Sequence, residues 1–189
     1  VSVRTYTPEQ LREMEANGIL FDEEICEERA IQIDDQIREI EGKLQSTYPN
    51  VPINFASNDD MSAFLYGGTI EETIKVHEGF YKTGIKKGQP KLVNQTITHN
   101  LPQLYKPIKG SELKKAGYYA TNEPTLRSLK GNTKTVDLIL ELAKLAKING
   151  TYYKGLPKMN KEMNWPKGIL HSNFNTTQTV TGRLSSSKP

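Results

Sequence analysis

The sequence has few of the residues that build disulfides and metal sites. Its 189 residues include one cysteine, Cys26, and three histidines that lie far apart, His77, His99 and His171. One cysteine cannot close a disulfide within its own chain, and cysteine-based zinc sites need several thiolate ligands. Disulfide-stabilised domains and zinc-binding domains built on cysteine are therefore excluded, and we expect no metal chemistry based on Cys or His.

Long hydrophobic runs are also missing. No stretch approaches the ~20 apolar residues that span a bilayer, and Val1–Thr5 lack the apolar run of a signal peptide. The length is that of one ordinary domain, or of one and a half small domains. We therefore expect a soluble cytoplasmic protein without a membrane partner.

The charges of the two signs are segregated along the chain. Residues 1–50 carry 12 acidic and 5 basic side chains, and the remaining residues carry 10 acidic and 20 basic ones. No carboxylate side chain follows Glu162, so the last segment would face an anion without internal competition. This distribution favours a polyanionic partner, although a solvated charged face is the alternative interpretation.

Capping signals predict two helices in the acidic first part. Thr7, Pro8 and Gln10 form a capping box with proline at the first helical position, and Asn17-Gly18 ends that helix. Asp22 is placed to cap a longer helix whose apolar residues recur at steps of four and three: Cys26, Ala30, Ile33, Ile37, Ile40 and Leu44. We expect this seam to be buried against a second helix over 135–149, forming an antiparallel arm.

The central and final segments indicate an α+β fold that is mainly helical. Ser57 is placed to cap a short helix that ends at Gly67-Gly68. From about 69 to 107, β-forming residues surround the turn-rich stretch 86–90, which predicts a small two-stranded β excursion. Alternating residues after Ile169 predict strands at the C-terminal end.

The last residues carry the most informative motif, which on chemistry alone is only a polar loop. It reads Thr179-Val180-Thr181-Gly182-Arg183-Leu184-Ser185-Ser186-Ser187-Lys188-Pro189. With the preceding residues from His171, it resembles the segment that opens the palm of family A (DNA polymerase I type) DNA polymerases. Four further blocks resemble parts of that family's thumb: 18–22, 54–57, 121–126 and 145–152. The central segment is longer than in bacterial members and is similar to the bacteriophage branch.

The resemblance implies a fragment with three parts. Residues 1–21 would form an entry helix and a palm-proximal segment, and 154–189 would begin the palm. Residues 22–153 would form the thumb, with a β-ribbon inserted at about 69–110. A phage-encoded chain would act in the cytoplasm of its bacterial host.

The resemblance also implies a set of DNA contacts. Arg183 matches the family arginine that reaches minor-groove acceptors at the primer end, where the pattern is nearly independent of sequence. The remaining candidates for contacts to DNA are Lys147, Asn54, Ser57, Thr121, Thr151, Thr181, Ser185 and Ser186.

Several of these residues have ordinary alternatives. Ser57 could be a plain helix cap, Lys147 a solvated lysine, and Thr121 the cap of its own helix. The chain also departs from the family pattern at Ala56, where many relatives have Asn, and at 149–150, where they have Lys-Ser. Tyr152 is expected to pack at the base of the arm.

The family carries out nucleotidyl transfer on two divalent metals held by palm aspartates. These 189 residues end before the aspartate-bearing motifs, so we expect no catalytic residue, no bound metal and no synthesis by this chain alone. Mg²⁺ is expected for the complete polymerase. The expected partners are the primer–template duplex and the remainder of the polymerase, which comprises palm and fingers, with an exonuclease domain as a further candidate. The alternative function is a stand-alone duplex-binding or processivity module that recruits a protein through the ribbon.

Overall fold

The computed structural model describes residues 6–129, 131, 133–175 and 185–187. Its α-helices are α1 Pro8–Asn17, α2 Glu23–Gln45, α3 Asn58–Tyr66, α4 Glu123–Arg127, α5 Thr133–Ile148 and α6 Gly155–Glu162. A π-helical turn, Asn149–Tyr153, joins α5 to α6. The strands are β1 Ile19–Leu20, β2 Gly68–Phe80, β3 Pro90–Leu101, β4 Ile169–Leu170, β5 Asn173–Asn175 and β6 Ser185–Ser187. These helices and small sheets agree with the predicted α+β class.

The described strands form three antiparallel pairs: β1 with β4, β2 with β3, and β5 with β6. The β2–β3 pair is the predicted ribbon, and its register runs from Gly68 opposite Leu101 to Phe80 opposite Pro90. Two-stranded pairs are marginal in isolation, so each needs support from neighbouring residues.

The chain divides into two compact units. The first contains residues 1–38 and 143–189, and the second contains residues 39–142. This division cuts through α2 and α5, each of which contributes residues to both units. This division does not test the predicted boundaries between thumb and palm, which stay a prediction.

The first unit confirms the predicted helix starts. The Thr7 backbone N–H donates to Gln10 Oε1 at 2.9 Å, and the Gln10 backbone N–H donates to Thr7 Oγ1 at 3.3 Å. At α2, the Ile25 backbone N–H donates to Asp22 Oδ1 at 3.0 Å. Between the two helices, Gly18 has φ +68°, and a Cβ there would lie 2.6 Å from the Leu170 carbonyl oxygen. Glycine is therefore required where β1 turns to pair with β4.

The second unit is built around α3, whose residues Met61–Tyr66 are all buried. The Phe64 ring is fully buried and makes edge contacts with Tyr48 at 5.8 Å and Phe55 at 5.6 Å between ring centroids. The backbone N–H groups of residues 104 and 105 both donate to the Leu65 carbonyl. The last six residues of this short helix therefore form the core of their unit.

The predicted apolar seam of α2 is buried only in part. Ile40 and Leu44 are 5% and 2% exposed, whereas Cys26, Ile33 and Ile37 are half-buried. Full burial of Ile33 and Ile37 was therefore the wrong expectation. Ala30, another residue of the seam, is 7% exposed. Its carbonyl and the Asp34 carboxylate accept hydrogen bonds from the Asn149 side chain, so one of the contacts along this stretch is polar and not apolar.

The thiol of Cys26 is correspondingly only partly covered. Partial burial is the main cause that raises the pKa of the Cys26 thiol. The nearby carboxylates of Asp22 and Glu23 raise it further. Both effects disfavour the thiolate, which is the reactive form of the side chain. Cys26 therefore behaves as a small, weakly reactive packing residue.

Two isoleucines of α2 provide a matched test of this core. Replacing Ile40 by alanine is expected to lower the free energy of unfolding by about 2–5 kcal/mol, because the buried side chain leaves a cavity. Replacing Ile31, which is 62% exposed, is expected to change it by less than about 0.5 kcal/mol. Urea unfolding followed by far-UV circular dichroism measures both values, and equal losses would contradict the assignment of the core.

Candidate nucleic-acid interface

The π-helical turn after α5 places two predicted DNA contacts on the surface. Lys147, in the last turn of α5, and Thr151, in the π-helical turn, are both exposed. Gly150 lies between them, and a Cβ built there meets no atom within 4 Å. Residues four apart lie on the same side of a helix, so a cation, a hydroxyl and an uncovered stretch of backbone are adjacent.

Asn149 anchors this turn from beneath. It is 3% exposed, and its Nδ2 donates to the Ala30 carbonyl at 3.2 Å and to Asp34 Oδ1 at 2.9 Å. The backbone N–H of Lys154 donates to the Asn149 carbonyl at 2.8 Å, which is the wide i→i+5 spacing of a π-helix. The inward amide therefore fixes which residues of the turn face solvent.

The same turn explains the position of Tyr152. It is 55% exposed, so the expectation that it packs at the base of the arm is wrong. The extra residue in the π-helical turn shifts the phase of the side chains, and Tyr153 is the half-buried one.

The lysines of the first unit differ in their availability to an anion. Lys154 pairs with Asp34 and Lys161 pairs with Glu23, each at 2.8 Å. The hydrogen bond between Lys161 and Glu23 lowers the pKa of Glu23 and raises that of Lys161. Lys147 forms no ion pair with the residues that the structure describes, so its charge is available to an external anion.

Ser57 and Asn54 surround the start of α3, in the second unit. Ser57 Oγ accepts the Asp60 backbone N–H at 3.3 Å and donates to Asp60 Oδ1 at 3.2 Å. The Asn54 backbone N–H donates to Asp60 Oδ2 at 3.0 Å, and its side-chain oxygen accepts the Ala56 N–H at 3.0 Å. The capping role of Ser57 is therefore confirmed.

The first turn of α3 also carries its own anions. Asp59 and Asp60 lie where the helix dipole favours negative charge, and the Asp60 carboxylate accepts hydrogen bonds from the Ser57 hydroxyl and the Asn54 backbone N–H. An external phosphate would have to share this site with two carboxylates. Contacts of Asn54 and Ser57 with DNA stay a prediction.

A set of lysines near α3 was missed by the sequence reasoning. Lys106, Lys109 and Lys114 are exposed, and Lys115 pairs with Asp59 and lies 3.9 Å from the centre of the Tyr118 ring. The hydrogen bond to Asp59 raises the pKa of Lys115. The signal was present, since residues 106–115 hold four lysines and one glutamate.

Thr121 does not cap α4, which corrects one alternative for this residue. The N-cap is Asn122, whose side-chain oxygen accepts the Thr125 backbone N–H at 3.2 Å. Asparagine at this position has a slightly stronger capping preference than threonine. Thr121 is half-buried, and its neighbour Ala120 accepts a hydrogen bond from the Tyr66 hydroxyl at 3.3 Å.

The predicted C-terminal contacts are only partly within the described residues. Thr181 and Arg183 lie outside them, as does the side chain of Ser185. Ser186 is exposed in β6, where it is paired with Phe174 of β5. The Phe174 backbone N–H donates to Glu15 Oε1 at 2.7 Å, which fastens this strand pair to α1.

The described part of the chain holds neither a metal-binding cluster nor a membrane-spanning helix. It contains no group of three or more His, Cys, Asp or Glu side chains that could hold a metal ion. None of its helices is long and apolar enough to cross a membrane.

Comparison with known families decides what this chain is. The sequence profile of DNA polymerase family A matches residues 88–189, which is more than half of the chain. The chain belongs to DNA polymerase family A. The resemblance noted in the sequence is thereby confirmed.

Individual relatives in this polymerase family cover most of the chain. The thermostable DNA polymerase I of Thermus filiformis is 27% identical over 179 residues, which are 95% of this chain and 17% of the relative. A DNA polymerase of Bacillus phage SP01 is 26% identical in an alignment 188 positions long, which covers 95% of this chain and 20% of the relative. The DNA polymerase I of Synechocystis is 42% identical over 81 residues, which are 43% of this chain and 8% of the relative. The chain thus spans about a fifth or less of each relative.

The cap of α3 offers a test of the local geometry at this site. Replacing Ser57 by alanine is expected to lower the free energy of unfolding by about 0.5–2 kcal/mol, because the Asp60 N–H loses its partner. Replacing Ser57 by asparagine keeps a capping oxygen and should lower the free energy of unfolding by only a few tenths of a kcal/mol. Thermal unfolding of both variants measures the difference, and an alanine variant as stable as the asparagine variant would contradict a capping role.

Proposed function

We propose that this chain forms the thumb and the start of the palm of a DNA-directed DNA polymerase, and that it grips the primer–template duplex during synthesis. The observation that carries the proposal is the alignment of 95% of the chain with proteins named as DNA polymerases in bacteria and a phage. In this proposal residues 22–153 belong to the thumb and 154–189 begin the palm.

The surface chemistry of the first unit supports a grip on phosphates. Lys147 supplies a positive charge without a carboxylate partner among the described residues, Thr151 supplies a hydroxyl, and Gly150 allows close approach of the backbone. Lysine, threonine and backbone N–H groups are common donors to DNA phosphates. Because the buried amide of Asn149 holds the turn, these groups are ordered before DNA arrives.

The second unit supplies a further set of donors. Lys106, Lys109 and Lys114 are exposed near α3, and Ser57 and Asn54 lie at its first turn. We propose that the lysines contribute most of the attraction here, because the carboxylates of Asp59 and Asp60 oppose an anion at the start of α3. Thr121 contributes a hydroxyl next to the same helix.

The C-terminal motif would act at the primer end. Arg183 would donate to the minor-groove acceptors, which are shared by correctly paired bases, and would therefore test the shape of the pair rather than its sequence. Thr181, Ser185 and Ser186 would contact the neighbouring sugar–phosphate backbone.

Catalysis would depend on parts of the enzyme beyond these residues. The described side chains do not form a metal site, so we assign no chemical step to them, and Mg²⁺ is expected to bind the complete polymerase. The partners would be the primer–template duplex and the rest of the polymerase, with its palm and fingers. The 189 residues alone are expected to bind duplex DNA without extending a primer.

Salt dependence tests the proposed grip. Fluorescence anisotropy with two labelled duplexes of unrelated sequence should show weak binding that falls steeply with salt and differs little between the sequences. Replacing Lys147 by glutamine should weaken both complexes equally and reduce the slope of log K against log salt by about 1. The control is Lys158→Gln, at an exposed lysine that already pairs with Glu162 at 3.7 Å. Equal slopes in the Lys147 variant and the parent would refute this contact.

Arg183 is tested in a polymerase that contains this chain with the remaining palm and the fingers. Replacing it by alanine should slow single-turnover incorporation, because the primer end loses its minor-groove donor. Replacing it by lysine should rescue poorly, since a point charge cannot reproduce the forked guanidinium. If both variants equalled the parent on matched and mismatched primer ends, Arg183 would be an ordinary loop residue.

A further inference from the structure

The β2–β3 ribbon is supported only at its base. Ile70 and Leu101 are buried there, whereas every residue from Glu71 to Asn100 is half-buried or exposed. At about 3.3 Å per residue, strands of 12 and 13 residues reach roughly 40 Å from that base. The far end of the ribbon therefore contributes little to the core, and its composition needs another explanation.

That far end, residues 75–91, is strongly basic. It holds five lysines and one glutamate, a net charge of +4. The glutamate, Glu78, pairs with Lys91 across the two strands. In the described part of the chain, no carboxylate pairs with Lys82, Lys86 or Lys87, which are all exposed. Three uncompensated positive charges within six residues repel one another and favour an external anion.

Aromatic rings lie among these charges. Phe80 is 60% exposed, and its ring meets that of His77, which is also exposed, at 5.1 Å between centroids. On the adjacent residue, the Tyr81 ring lies 5.9 Å from Lys86 Nζ. Stacking a flat ring on an exposed phenylalanine removes apolar surface from water. Lysines beside the phenylalanine attract a ligand that is also negatively charged.

The loop that carries the lysines is held in one shape by its backbone. The Tyr81 N–H donates to the Gln89 carbonyl at 3.0 Å, and the Gly88 N–H donates to the Tyr81 carbonyl at 2.9 Å. Gly84 and Gly88 have φ values of +80° and +83°, which other residues rarely adopt. Because the loop is ordered beforehand, a ligand would not bear the full entropic cost of arranging the lysines.

We propose that the far end of the ribbon binds an unpaired polynucleotide strand. The phosphates would lie against Lys82, Lys86 and Lys87, and bases would stack on Phe80 and His77. Unpaired strands expose the faces of their bases, which a duplex hides, so rings beside lysines suit a single strand better than a duplex.

The proposal is tested on the 189-residue chain with labelled oligodeoxyuridylate, oligouridylate and a duplex of the same length, since the two single strands differ only in their sugar. The basic variant is Lys82→Gln/Lys86→Gln/Lys87→Gln, and the aromatic variant is Phe80→Ala. A control, Arg38→Gln/Lys43→Gln/Lys158→Gln, removes the same charge from exposed side chains that already have acidic partners. Circular dichroism verifies that every variant retains the parent's helical content.

We expect the basic variant to bind the single strands at least tenfold more weakly, and Phe80→Ala to lose roughly tenfold by loss of stacking. Phe80→Trp should keep the affinity, and the charge-matched control should lose less than about threefold. The tighter of the two single strands identifies the sugar of the ligand. Duplex binding should be much less affected by Phe80→Ala than single-strand binding is.

Two results would overturn the proposal. Equal losses in the basic variant and its control would mean that only net charge matters. An unchanged affinity in Phe80→Ala would mean that no base stacks there. Neither result bears on the proposed duplex grip, which is measured separately through Lys147→Gln and the duplex.

Discussion

The burial of Met61–Tyr66, the last six residues of α3, is the constraint on which the second unit depends. A nine-residue helix is too short to be stable by itself, so its buried residues Met61–Tyr66 require cover from several segments at once. Tyr48 and Phe55 cover one side, and Ser62 Oγ accepts the Tyr119 N–H at 2.9 Å on another. The helix therefore positions the loop before it, the base of the ribbon and the basic loop after the ribbon.

The features that the sequence predicted correctly are mainly local ones. A cap is decided by two residues three apart, so Thr7 with Gln10, Asp22 and Ser57 could each be identified from a few neighbours. The ribbon is likewise indicated by β-forming residues around a glycine-rich and proline-rich turn. Family membership followed from ordered blocks along the chain, because a motif carries evolutionary information that composition lacks.

The missed features depend on residues that are distant in sequence. Asn149 is 119 residues from Ala30, so no local pattern shows that a buried amide would bind α2. The π-helical turn begins at that same residue, and within it Tyr152 is exposed. At the candidate site, Lys147 and Thr151 are exposed, and their contacts with DNA stay a prediction. The hydrogen bond from the Ser57 hydroxyl to the Asp60 carboxylate became visible only in the folded arrangement.

The division of the first unit between the two ends of the chain has a consequence for its biogenesis. Residues 39–142 form a unit that is continuous in sequence, so its residues leave the ribosome in one uninterrupted stretch. The first unit needs Leu170 opposite Ile19 and Asn149 against Ala30, so α1 and α2 must wait for more than a hundred residues of synthesis. Long-range closure of this kind is slow.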